Sequence, residues 1–281
     1  MAISTSKLTL GCDPRALSPR TCGPLGHNDA ASPFSDLIGD TPGSLGVNDH
    51  AAPDVPLVLS NSGVVQWVLE RGKDLTKECE GNKGKPYWPQ GASGITIGYG
   101  YDMKERSTTE IKGDLMNSGV ASDLAVILSS GANKSKISSP TAEEFLESEV
   151  IYHGVKKPYG ELEIDQSARD GLFDIVYKAY NDDVARICDK DDVVNQYGET
   201  DWPSLHPAIK AILIDLRFRG DYTPALRLYV QKSVSKNDPP SFSANLKAYL
   251  AANKNEYEAG IVSRFDKRIA FVQQYGCVVI T

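Results

Sequence analysis

The residues best placed to do chemistry lie in one stretch, Glu80-Gly-Asn-Lys-Gly-Lys-Pro-Tyr-Trp-Pro-Gln-Gly-Ala-Ser-Gly-Ile-Thr-Ile-Gly-Tyr-Gly-Tyr-Asp102. It opens on one carboxylate and closes on another, and no Asp or Glu lies between Gly81 and Ile95. A proton donor on one side of a bond and a carboxylate on the other are what cleavage of a glycosidic bond requires. Glu80 directly precedes Gly81, at the expected end of a helix, where a negative charge opposes the helix dipole and costs stability. Glu70 and Glu78 are the rival acids on that helix. Thr96 is either a hydroxyl for the site or a β-branched strand residue. Asp102 is either the second carboxylate or the cap of the next segment. Tyr87, Trp88, Tyr99 and Tyr101, with Ser93 among them, are the candidates for holding a sugar, and hairpin packing accounts for the rings equally.

The elements that must position these residues follow from periodicity. Val64, Val65, Trp67, Val68 and Leu69 recur at helical spacing behind a Ser60 or Asn61 cap, with a break expected at Gly72 and a second piece from Asp74 to Glu80. Residues 81–94 read as a loop or hairpin. Ile95, Ile97, Tyr99 and Tyr101 alternate with Thr96, Gly98, Gly100 and Asp102, which predicts one strand with the second set on a single face. Fully extended, that strand would hold Thr96 and Asp102 about 20 Å apart, so a bend at Gly98 or Gly100 is required if both serve one bond. Helices are expected over Thr141–His153, Gln166–Tyr180, Pro207–Arg219, Phe242–Ala252 and Glu256–Tyr275, with Thr141 and Glu144 as a capping box. A small strand region followed by many helices is an α+β layout. Asp215 and Arg217 read as a partly buried ion pair, and Arg219-Gly-Asp221 as a helix-ending turn.

The 28 residues from Glu80 to Ser107 resemble the catalytic start of lysozymes. Glu-Gly followed by a short hairpin and Thr-Ile-Gly-x-Gly is similar to phage-type lysozymes, in which the glutamate is the acid and an aspartate six residues before the threonine completes the site. Here Gln90 stands at that aspartate position. Pesticin-like muramidases instead carry the aspartate six residues after the threonine, and Asp102 has that offset from Thr96. The string also resembles lysozyme-like domains of bacterial toxin effectors. The resemblance implies a small β-hairpin lobe and a larger helical lobe. It implies hydrolysis of peptidoglycan by Glu80, Asp102 and Thr96, with peptidoglycan as the partner and no cofactor. A lytic transglycosylase, a chitinase and an inactive peptidoglycan-binding module are the alternatives.

Charge and composition narrow the rest. A net charge of −7 and an isoelectric point near 5.2 argue against a nucleic-acid binder. They also mean that an anionic cell wall would be found through a shaped cleft rather than by bulk attraction. No apolar run is long enough to span a membrane, so stable insertion is not expected. Met1 to Cys12 lacks a signal-peptide core, and Leu-Gly-Cys at Cys12 is only a faint lipoprotein box. The five cysteines, at 12, 22, 79, 188 and 277, contain no Cys-x-x-Cys, and only Cys12 and Cys22 are candidates for pairing. His27, His50, His153 and His206 have no metal-ligand spacing, and the Asp182-Asp183 and Asp189-Lys-Asp-Asp192 clusters do not fit a calcium loop.

Residues 1–56 stand apart from the globular part, 57–281. They hold 7 of the 16 prolines and a single aromatic, Phe34, too little to build a core. Thr21–Pro33 and Thr41–Pro53 agree at 8 of 13 positions, which reads as a docking or delivery module rather than a linker. With the resemblance, this leader favours an effector injected into another bacterium, as by type VI secretion, over release through a phage-style membrane hole. An immunity protein and a secretion-machine component are then the expected partners, and the target's periplasm the place of action. A protein beginning at Leu57 should be soluble and keep the lytic activity of the whole chain in vitro, while losing delivery in competition between cells. A folded but inactive truncation would move the boundary.

Overall fold

The computed structural model describes residues 61–278, so the leader, its repeat, Cys12, Cys22, His27 and His50 lie outside the described residues. Helix α1 runs unbroken over Asn61–Cys79. The expected break at Gly72 does not occur, because Val68, Gly72 and Thr76 form one buried stripe at helical spacing. A Cβ at Gly72 would overlap the Cβ of Ala211 on the helix packed against it. Gly72 is thus a point of close helix approach, and the Thr76 hydroxyl donates to its carbonyl at 3.2 Å.

The chain then forms β1 (Lys83–Tyr87), β2 (Thr96–Gly98) and β3 (Tyr101–Asp102), an antiparallel sheet in the order β1-β2-β3. The single strand expected over 95–102 is a tight hairpin instead. Gly98 and Gly100 have φ of 62° and 82°, conformations open to glycine at no steric cost, and they reverse the chain around Tyr99. Helices α2 (Thr108–Asn117), α3 (Ser122–Ser129) and α4 (Ala142–Leu146) follow. The Thr141–Glu144 capping box forms as expected, but α4 stops after five residues. The remainder of the expected helix is a second hairpin, β4 (Glu149–Tyr152) and β5 (Val155–Pro158). His153 and Gly154 have φ of 50° and 76°, the pair of left-handed residues that a two-residue hairpin turn demands.

The rest is helical: α5 (Gln166–Cys188), α6 (Asp191–Tyr197), α7 (Pro207–Arg219), α8 (Pro224–Ser235), α9 (Pro239–Asn253) and α10 (Ala259–Tyr275). Helix α7 matches its expected bounds because both ends are written in sequence. Pro207 occupies the first turn, and Gly220 closes the helix at φ 86°. Every residue from Ala211 to Leu216 is buried, so α7 is enclosed on all sides. Helix α8 accounts for residues no expected element covered.

Two apolar cores result. Ile95, Ile97, Met103, Ile111, Leu115 and Tyr159 belong to the one beneath the hairpin. Val68, Ile209, Leu213, Leu226, Phe242 and Phe265 belong to the one around α7. Helix α5 serves both, giving Leu172 and Val176 to the first and Val184 and Ile187 to the second. The protein is therefore α+β, mixing helices with small antiparallel sheets. No described helix is long and apolar enough to cross a membrane.

Because the Gly72–Ala211 contact has no slack, Gly72→Ala should destabilise the protein by about 1–3 kcal/mol, the usual cost of overpacking. Adding Ala211→Gly should recover part of that loss. Thermal melts of the two single variants and the double variant check it, and strictly additive losses would refute the contact.

Candidate active site

Glu80 follows the last residue of α1, its N–H bonded to the Lys77 carbonyl at 3.2 Å. Gly81 does not end the helix through a left-handed turn, since it is not among the positive-φ glycines. Of the three rival acids, Glu80 alone is held inside. Glu70 and Glu78 are exposed, whereas the Glu80 side chain is 18% exposed. Its Oε1 accepts a hydrogen bond from Arg264 Nη1 of α10 at 2.6 Å. A Cβ at Gly100 would lie 3.5 Å from Oε2, so the glycine-tipped hairpin turn stands beside that oxygen. Burial pushes the Glu80 carboxyl above the ordinary carboxylate value, and the Arg264 charge and hydrogen bond only partly offset it.

The hairpin brings the other expected residues together in a row. Tyr87 of β1 pairs with Thr96 of β2, and Thr96 pairs with Asp102 of β3. Residues directly opposite on antiparallel strands point to the same face, a few ångströms apart. The sequence placed Thr96 and Asp102 on one face of one strand, and the turn places them side by side on two. Both are anchored to Gly94. The Thr96 hydroxyl donates to the Gly94 carbonyl at 3.2 Å. Asp102 accepts the Gly94 N–H at 3.1 and 3.2 Å and the Lys104 N–H at 2.8 Å. A Cβ at Gly94 would stand 2.9 Å from Asp102 Oδ1 and 2.6 Å from the Lys134 carbonyl, which is why glycine is needed there. Thr96 is buried and Asp102 half-buried. The Tyr87 hydroxyl faces Gly81 across the same region. Burial raises its pKa first, and the charges of Glu80 and Asp102 add to the rise. One phenol thus senses both carboxylates.

The remaining candidates scatter. Trp88 donates its indole N–H to the Ser93 carbonyl at 3.0 Å, so this pair closes the β1–β2 loop. Gln90 is exposed in that loop with φ of 74°. Tyr99, at the hairpin tip, accepts hydrogen bonds from Asn82 at 3.1 Å and Gln166 at 3.0 Å. Its ring meets Phe173 edge-on at 5.3 Å, which ties the tip to α5. Tyr101 is not available to a sugar. It pairs with Ile97 on the other face, is 2% exposed, and donates its hydroxyl to Asp114 at 2.7 Å.

What the sequence missed is the support of Glu80. Asp215 does not pair with Arg217, which bonds Asp183 at 2.6 Å instead. Asp215 has no exposed surface and accepts from Arg264 at 2.7 and 3.2 Å and from Arg268 at 2.6 Å. Arg268 also donates to Asp221 at 2.8 Å. The chain of contacts runs Glu80–Arg264–Asp215–Arg268–Asp221. A readable signal existed. Arg264 and Arg268 alternate with Ile261, Phe265, Ile269 and Val272 along α10, so both arginines sit by the apolar stripe. Asp221, read only as part of a turn after Gly220, has this second role. Among the described residues no group of His, Cys, Asp or Glu is disposed to hold a metal ion.

A family model described as "Domain of unknown function (DUF8812)" matches residues 73–269. The chain belongs to this family. The DUF8812 span includes Glu80, the Tyr87–Thr96–Asp102 row, Asp215, Asp221 and both arginines, and it excludes the leader. No curated protein matches the chain.

Burial would raise the Asp215 carboxyl, but Arg268 and Arg264 outweigh it and hold it below the ordinary value. The unfolded chain therefore takes up this proton first. The resulting stabilisation is complete above the ordinary Asp value of about 3.9 and is lost as pH falls through the lowered folded value. Asp215→Ala leaves two guanidinium groups facing each other in the core and should cost about 3–5 kcal/mol. Denaturant unfolding at pH 7 and pH 3 should show a larger cost at the higher pH than at the lower. An equal loss at both would deny the carboxylate its role.

Proposed function

We propose that this DUF8812 domain is a muramidase with a lysozyme-like fold, a small hairpin lobe and a larger helical lobe. It would hydrolyse the β-1,4 bond after N-acetylmuramic acid in peptidoglycan. The observation that carries this reading is Glu80. It is a carboxyl buried at a helix end, with a raised pKa, clamped by Arg264 through one oxygen, with the other beside a glycine-tipped hairpin. A carboxyl with a raised pKa holds its proton to higher pH than an ordinary one, as suits an acid that protonates a leaving sugar oxygen. Thr96 and Asp102, opposite one another on β2 and β3, are the groups for the other side of the bond. Asp102 would position the attacking water or stabilise the cationic sugar, with Thr96 assisting. Tyr87 stands in electrostatic reach of both carboxylates and would contact the glycan. The resemblance of Glu80–Ser107 to pesticin-like and effector lysozymes supports the same assignment.

Residues 1–56 would then serve delivery into the periplasm of a target bacterium, and an immunity protein would protect the producer by covering the cleft. One observation favours a second reading. Asp102 already accepts two backbone N–H groups, and a structural role for it would leave Glu80 as a single acid. That is the equipment of a lytic transglycosylase, and mass spectrometry for an anhydro sugar in the digest separates the two.

Glu80→Gln should lower the clearing of purified peptidoglycan by about 10²–10⁴ while the melting temperature stays near that of the parent. Asp102→Asn should be severely impaired if the enzyme is a hydrolase, and Gln90→Ala much less. Since the acid form of Glu80 is the active one, the rate should fall as pH rises through its raised pKa. A Glu80→Gln protein that clears peptidoglycan at the parental rate ends this assignment.

A further inference from the structure

A cleft of about 420 Å³ adjoins the Glu80 clamp, its walls including Glu78 of α1, Arg219 at the end of α7, and Glu258, Ile261, Arg264 and Lys267 of α10. It holds charges of both signs that leave one another alone. Among the described residues Glu78, Glu258 and Arg219 have no side-chain ion pair, and Lys267 reaches only the Cys79 sulfur at 4.0 Å. Two carboxylates and two cations with no ion pair of their own, beside Asp221 and Arg264, which are paired elsewhere, match a ligand that itself carries ammonium and carboxylate groups. Ile261 adds an apolar wall, and a Cβ at Gly260 would meet nothing within 4 Å. The place of the cleft narrows the ligand. Glu78 and Cys79 immediately precede Glu80 in the chain, and Arg264, which holds Glu80 through Nη1, is part of the cleft wall. In peptidoglycan the sugar whose bond the acid would protonate bears a peptide on its lactyl arm. That peptide must leave within one or two residue lengths of Glu80, at about 3.5 Å each.

We propose that this cleft binds the stem peptide of muramic acid, its carboxylates toward Arg219 and Lys267 and the ammonium of its diamino acid toward Glu78 and Glu258. The proposal rests on the muramidase reading and names the part of the substrate that the glycan site does not hold. Charge-assisted contacts of this kind change binding by about tenfold or more each.

Two measurements on the full chain test it. The first compares kcat/KM on glycan strands bearing peptides with kcat/KM on strands stripped of them. The ratio should exceed about ten for the parent and fall about tenfold in Arg219→Ala/Lys267→Ala and in Glu78→Gln/Glu258→Gln. A parental ratio near one, or a ratio that neither double variant changes, overturns the proposal and leaves the muramidase reading standing. The second is calorimetric titration with a soluble tripeptide that ends in a diamino acid. If the parent cleaves neither glycan, the muramidase reading has failed and this titration decides alone. Binding that both double variants weaken about tenfold supports the cleft, and no binding, or binding they leave unchanged, overturns it.

Discussion

Asp215 is a carboxylate with no exposed surface in a helix whose other buried residues are all apolar, and two arginines of α10 exist in the core because of it. A buried charge without partners costs several kcal/mol, so α7 and α10 can pack only in the register that brings Arg264 and Arg268 to Asp215. That register in turn delivers Arg264 to Glu80. The charge count around Glu80 is also set here. Three carboxylates, Glu80, Asp215 and Asp221, share the guanidinium groups of Arg264 and Arg268. Burial raises the pKa of the one acid proposed to give its proton away, Asp215 adds to the rise, and the Arg264 contact only partly offsets it.

The hairpin solves a different problem. A carboxylate and a hydroxyl six residues apart in sequence need a way to stand side by side, and a turn through two left-handed glycines supplies it. Gly94 then fixes the row from behind, since its N–H and carbonyl engage Asp102 and Thr96. At the tip, Tyr99 is held to α5 by Gln166 and Phe173, and to the segment before β1 by Asn82. A small sheet with short strands would be marginal alone; here both its ends are tied to larger elements.

Where the chain's instructions are local, they were legible. The α7 bounds follow from Pro207 and Gly220, the α4 start from Thr141 and Glu144, and the shared face of Thr96 and Asp102 from their even spacing. Misreadings came where two local signals competed or where the decisive partner was remote. Gly72 reads as a breaker until Ala211, 139 positions later, presents its small side chain. Val150, Ile151 and Tyr152 continue a helical pattern unless His153-Gly154 is recognised as a turn that needs positive φ. Tyr101 has the same alternation as Tyr99, but its face is set by pairing with Ile97, which no spacing reveals. Asp215 was correctly taken as one half of an ion pair, and Arg217 was chosen because it is near in sequence. The true partners are 49 and 53 positions away.

That separation has a consequence for the order in which the molecule can come into being. Glu80 is among the first charged side chains of the domain to be synthesised, and its clamp is 184 positions further on. A nascent chain can form α1, both hairpins and α5 while Asp215 still lacks every cation that would allow it into the core. The central helix cannot be sealed, nor the acid seated, until α10 has emerged and docked. Contacts of such long range are costly to close and form late. The proposed catalytic glutamate is thus assembled late in folding, by a helix synthesised long after it.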